Sequence, residues 1–191
     1  DAKACVLRAI NTWKCATKVN WDTNPSAPNN DNAEMGVISY GALPIGATST
    51  VLARTTSTHN RCKDDVTGAY IQAYQNFFKI AFNSNVTYWY KKEALSGLNA
   101  SNMDMESVAL HELGHAHNLN HVNGDSDVMF YDIQNGDAKR ILKPYDIEGG
   151  KWVIKNSFAI LIGTDCPDPM YPADITGLNC GSVETYNFSK G

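Results

Sequence analysis

Apolar positions recur at two different periods along this chain, and the change of period separates its helices from its strands. Val6, Ala9, Ile10 and Trp13 fall at i, i+3, i+4 and i+7, which is one face of an amphipathic helix. Val19-Asn20-Trp21 opens a strand, and residues 24–32 form a loop rich in Pro, Asn and Asp. Residues 36–40 and 49–56 read as strands. So do residues 77–82 and 86–90, where aromatic and β-branched side chains concentrate. Residues 70–78 fit either a strand or a turn or two of helix, and the pattern leaves both open. A helix starting between Ser101 and Asp104 runs to about Asn118, and a last helix starts near Pro144–Asp146. The expected class is α+β, with no internal repeat and no low-complexity segment.

Composition narrows the class further. At 191 residues the chain suits one domain, or one with a small appendage, and is long enough for a proper core. Apolar residues make up 43% and charged residues 19%, which is ordinary globular usage. The net charge is −4 and no Lys/Arg run exceeds two, arguing against nucleic acid or anionic membranes as partners. No apolar stretch approaches the length of a membrane span. Five cysteines leave one unpaired if the others form disulfides. Cys5 and Cys15 share a helix and lie about 15 Å apart along its axis, too far to bond each other. Either remains a partner for Cys62. A Cys166–Cys180 disulfide would fasten the Pro-rich segment between them. The sequons at Asn85, Asn99 and Asn187 are weak evidence, because they matter only in a host that glycosylates.

Four of the five histidines fall within eleven residues, in the run from His111 to His121. On a helix, positions i and i+4 share a face, so His111 and His115 can present two imidazoles to one metal ion. Glu112 stands beside them, placed to hydrogen-bond a water at the metal, the H-E-x-x-H arrangement of zinc peptidases. His121 supplies a third nitrogen if the helix breaks after His115 and the chain turns back. Three ligands with a fourth position open is the pattern of a catalytic zinc, since structural sites close all four. His117 points roughly 200° away from His115 and is read as a non-ligand. His59 lies in the polar stretch Thr58-His59-Asn60-Arg61 and is expected to be solvated in a loop.

These residues resemble the metzincin motif, H-E-x-x-H-x-x-G-x-x-H followed by a methionine turn. His111, Glu112, His115 and His121 match it one for one, and Met129 follows in Asp127-Val128-Met129-Phe130-Tyr131. The eight-residue step from His121 to Met129 is similar to the link in matrixins. So are the lead-in from Asp104 to Leu110 and the later run from Leu142 to Gly149. Asn118 replaces the motif's Gly, and Asn tolerates the left-handed conformation that ends the helix there. Val122 stands where matrixins usually carry Ser. Tyr131 resembles the Met-x-Tyr of astacins and serralysins, whose phenol binds the zinc or steadies the oxyanion.

The resemblance implies a twisted mixed sheet with an active-site helix and a C-terminal helix. It covers residues 1–163 as a catalytic domain, in which residues 1–121 make an upper lobe and residues 122–163 a lower one. Residues 164–191 follow as a tail, expected to be disulfide-fastened. It also implies a secreted, mature, processed form and a monomer acting on protein or peptide. Residues 51–56 would be the substrate-binding edge strand, just before a loop at 58–65.

The expected mechanism uses zinc on the three histidines, Glu112 as general base and then acid, and Tyr131 at the oxyanion. Calcium has no support beyond Asp125, Asp127 and Asp132, which read as a solvated acidic loop. Two rivals share the site: a zinc-binding protein of the same fold without proteolysis, and a zinc hydrolase of non-peptide amides. A thermolysin-like site would need Glu148 as its third ligand.

Overall fold

The computed structural model describes residues 1–19, 21, 36–43, 51–92 and 95–157. The loop expected at 24–32, the tail 164–191, Cys166, Cys180 and Asn187 lie outside these residues. Helix α1 spans Ala2–Thr17. Asp1 caps it by accepting a hydrogen bond from the Ala4 amide at 2.9 Å, and Lys18 ends it in the left-handed region with φ 67°. Its buried face carries Cys5, Ala9, Ile10, Trp13 and Ala16; Ala9, Ile10 and Trp13 are the expected stripe, Val6 is only half-buried, and Cys5 is a free, buried thiol. Val19 and Trp21 lie in no strand, contrary to expectation. The left-handed cap turns the chain away at Lys18, and the Trp21 carbonyl accepts a hydrogen bond from Lys14 Nζ at 2.7 Å.

Three strands form the main sheet in the order β1-β3-β2: β1 at Val37–Gly41, β2 at Ala53–Lys63 and β3 at Tyr70–Asn83. β1 runs parallel to β3, whereas β2 runs antiparallel to it, so the sheet is mixed. Residues 70–78 are therefore strand throughout. The expected loop at 58–65 is also largely strand, because β2 continues to Lys63. Pairing of the two runs explains both outcomes: Lys63 stands opposite Tyr70 and Ala53 opposite Phe82, with register shifts after Thr58 and Cys62. A short second sheet joins β4, Tyr88–Trp89, to β5, Met103–Asp104, so only the centre of the strand expected at 86–90 pairs.

Helix α2, Met105–Ala116, packs against α1, and helix α3 spans Pro144–Ser157. Asp104 caps α2, accepting from the Ser107 amide at 3.1 Å and the Ser107 hydroxyl at 2.6 Å. Arg140 Nε donates to the same carboxylate at 2.8 Å. Two residues on, Glu106 pairs with Arg8 of α1 at 2.6 Å, and Trp13 Nε1 donates to the Leu110 carbonyl at 2.9 Å. These contacts fix α2 against α1 by polar bonds set inside an apolar interface.

His117 sits at the far end of this interface. It is buried, meets Trp13 and Trp21 edge-on, and lies 3.3 Å from the Thr17 hydroxyl. Burial lowers its pKa to about 4. The unfolded chain, near 6.5, binds a proton through a window in which the native state does not. Its contribution is therefore complete above about pH 6.5 and is lost as the pH falls toward 4, by roughly 3 kcal/mol. Chemical unfolding of the metal-free protein between pH 7 and 4 should show a flatter pH dependence for His117→Phe than for the wild type.

Candidate metal centre

His111 and His115 lie on one face of α2, four residues apart, as the helical repeat requires. The helix then stops. The His117 amide bonds the Leu113 and Gly114 carbonyls, and Asn118 takes φ 62°. That left-handed residue turns the chain back, and Asn serves where the motif has Gly. His121 thereby returns to the face it left. The three Nε2 atoms stand 3.1, 3.1 and 3.3 Å apart, while His117 faces away into the core.

Proton placement shows what this cluster fits. His111 Nδ1 lies 2.7 Å from the Val128 carbonyl, and His115 Nδ1 lies 2.8 Å from the Leu119 carbonyl. A carbonyl oxygen only accepts, so both Nδ1 atoms carry hydrogen and both Nε2 atoms expose lone pairs. Lone pairs converging at this distance repel unless a cation lies between them. Three nitrogens about 2.05 Å from one ion at tetrahedral angles stand about 3.3 Å apart, which matches the observed spacing. Burial holds the His111 pKa down to about 4, helped by the neighbouring His115 and His121 and opposed by the Val128 bond. The His121 pKa is also lowered, chiefly by desolvation and then by His115. The neutral form needed for ligation is thus favoured at both. Among the described residues these three are the group able to hold an ion. Glu148 is exposed on α3 and outside that group.

Glu112 is buried beside the triad, and its pKa is raised to about 6 by desolvation, partly offset by hydrogen bonding from Thr55. The Thr55 hydroxyl stands 2.5 Å from Glu112 Oε2 and 3.0 Å from the Glu112 carbonyl. Thr55 belongs to β2, which pairs only with β3 among the described residues, leaving its other side as the sheet edge. The edge strand expected at 51–56 therefore begins as paired strand at Ala53. It borders a cavity of about 430 Å³, whose opposite side is formed by Val128, Phe130, Tyr131 and Ile133.

Met129 is fully buried under α2. Gly114 makes this approach feasible, since a Cβ there would stand 2.1 Å from Met129 Sδ. Tyr131 is 68% exposed, lines the cavity, and has its ring 6.5 Å from that of His121. His59 departs from its expected place. It lies on β2 rather than in a loop, exposed but with Nε2 3.1 Å from Asn118 Oδ1. Of the acidic loop, Asp125 and Asp132 are exposed, whereas Asp127 is buried with its carboxyl pKa raised by desolvation and by Asp146.

Two polar residues important to this arrangement were not singled out by motif. Thr55 reaches Glu112 across 57 positions of sequence. Asp146, fully buried in α3, accepts from the amides of Val128 and Met129 at 3.0 Å each and of Lys143 at 2.8 Å. In sequence, Asp146 stands out only by its place in the run from Leu142 to Gly149 and at the expected start of the last helix.

A mixed sheet with a bordering edge strand, a helix bearing two histidines, a third histidine after a left-handed turn and a buried methionine turn are the features of the metzincin fold. The matrixin family model matches residues 1–153, so the chain belongs to the matrixin family, whose members are zinc metallopeptidases. It is also similar to the Metalloendoproteinase 5-MMP of Arabidopsis thaliana, at 47% identity over 47 residues. That stretch covers 25% of this chain and 13% of the plant protein. No helix among the described residues is long and apolar enough to cross a membrane.

Proposed function

We propose that this chain is a secreted zinc endopeptidase, with residues 1–163 as its catalytic domain and His111, His115 and His121 as the zinc ligands. The observation that carries the reading is the convergence of bare imidazole nitrogens beside a buried carboxylate, in a cavity open to a sheet edge. Zinc, when bound there, would polarise a peptide carbonyl and make a water acidic enough to lose its proton near neutral pH.

The chain's own residues do the rest. The Glu112 carboxylate takes the proton from the attacking water and passes it to the departing amine, acting first as base and then as acid. Tyr131, at the cavity edge, is placed to donate to the substrate oxygen as charge develops on it. Extended substrate adds to β2 by backbone hydrogen bonds, with side chains alternating into and out of the cleft. Met129 serves as an apolar floor holding the helix and the Val128 carbonyl in place. Disulfide bonding of Cys15 and Cys62 would agree with an oxidising, extracellular setting, and the chain is expected to act as a monomer.

The test is digestion of a mixed peptide library by the zinc-loaded protein, repeated after chelation and after zinc is restored. Internal cleavage that disappears and returns with the metal supports the proposal, and the cut bonds describe the cleft. A protein that binds zinc yet cuts nothing would refute it in favour of a site retained without proteolysis.

A further inference from the structure

We infer that Thr55 is a positioning residue for the general base: its hydroxyl ties the Glu112 carboxylate to the strand on which substrate is laid. The inference rests on the reading of Glu112 as the base and adds to it a residue outside the histidine motif. Three features carry it. The first is the double contact, 2.5 Å to Glu112 Oε2 and 3.0 Å to the Glu112 carbonyl. A hydroxyl has one proton, and the ionised oxygen at the shorter distance takes it as a charge-assisted bond. The second is register. Thr55 stands opposite Ile80, which is fully buried in β3, so a one-residue slip would turn Ile80 or Thr55 out of the core and is resisted. The third is the cavity, which Thr55, Glu112, His111 and His115 line together.

A glutamate side chain has several torsions and, without the hydroxyl's restraint beside the main-chain bond from Thr55, would sample positions from which it misses the water. With Oε2 held by Thr55, Oε1 remains to accept the proton. The bond also refers the carboxylate to β2 itself. Substrate held by that strand and base held by that strand then share one frame, and a displacement of about 1 Å in such a frame can cost roughly 100-fold in rate.

The experiment compares Thr55→Val, which keeps the shape and removes the hydroxyl, with Thr55→Ser and Thr55→Ala, all zinc-loaded. For Val and Ala, kcat should fall about 10- to 100-fold, with KM within about twofold and one zinc retained. Ser should recover most of the loss. A readout independent of turnover is thermal unfolding of the metal-free proteins. Thr55→Val should shift the midpoint less in a Glu112→Ala background than alone, because the partner is already gone. Near wild-type kcat in Val and Ala would overturn the inference, as would Ser no better than Val, or additive unfolding shifts. If the wild type cuts no peptide in the same assay, the general-base reading itself fails, a result distinct from any of these.

Discussion

Glu112→Ala should bind one zinc as the wild type does and turn over peptide about 10²- to 10⁴-fold more slowly, the usual contribution of a positioned acid–base group. That range corresponds to roughly 3–5.5 kcal/mol of barrier. Zinc retention follows from the geometry, since each element of the ligand cage is fixed without Glu112. The Nδ1 protons of His111 and His115 are held by the Val128 and Leu119 carbonyls, and His121 is returned by the turn at Asn118.

Stability adds a second, independent reading of the same variant. Burial raises the Glu112 pKa to about 6, above the ordinary carboxylate value. A raised carboxyl favours folding below its unfolded pKa and loses that advantage as pH climbs through about 6. At neutral pH the metal-free fold therefore carries a penalty of roughly 2 kcal/mol for keeping this side chain ionised. Truncation to alanine removes the penalty along with the Thr55 bond and some packing, so the melting temperature should change little. Zinc analysis, steady-state kinetics and calorimetry on one preparation check all three statements. A variant that keeps near wild-type kcat would show that Glu112 is not the base, and one that loses zinc would show that the histidine cage depends on it.

How much of this was legible in the sequence depended on how local each contact is. His111, Glu112 and His115 belong to two helical turns, and Asn118 with His121 closes the site within another six residues, so the histidine cluster could be read from spacing. α1 was equally plain, because its buried face repeats at the helical period. The sheet was harder. The aromatic run at 70–78 satisfies both helical and strand patterns, and the choice was made by β2, whose polar, threonine-rich continuation to Lys63 resembled a loop until paired with β3. His59 was misplaced for the same reason. A polar strand at a sheet edge carries no apolar alternation to announce it. The Thr55–Glu112 and Arg8–Glu106 contacts join residues 57 and 98 positions apart, and neither partner differs in type from an ordinary surface residue. Asp146 carries the same lesson, for only tertiary structure shows which amides it serves.

Asp146→Ala should destabilise the fold by about 4 kcal/mol. The carboxylate satisfies three amides, and two of them, on Val128 and Met129, belong to residues almost wholly withdrawn from solvent. Hydrogen bonds to a charged group contribute about 1.5–3 kcal/mol each, and an orphaned buried amide costs about 1–3 kcal/mol. The sum is reduced where water enters or the loop relaxes. Asp146→Asn should lie between this variant and the wild type. Its amide oxygen can replace Oδ2 and keep the Val128 and Lys143 bonds, but its NH₂ group would then face the Met129 amide, donor against donor. The loss would not stay at α3. Val128 offers its carbonyl to His111 Nδ1 at 2.7 Å, and Met129 offers its own to the Val122 amide at 3.0 Å, next to His121. Loosening the methionine turn therefore releases one ligand's orientation and the segment that bears another, and outer-shell losses of this kind cost about 10- to 100-fold in metal affinity. Denaturant unfolding and competitive zinc titration of wild type, Asn and Ala variants should rank together, in that order. If zinc affinity held while stability fell, Asp146 would support the fold alone and the turn would be rigid without it.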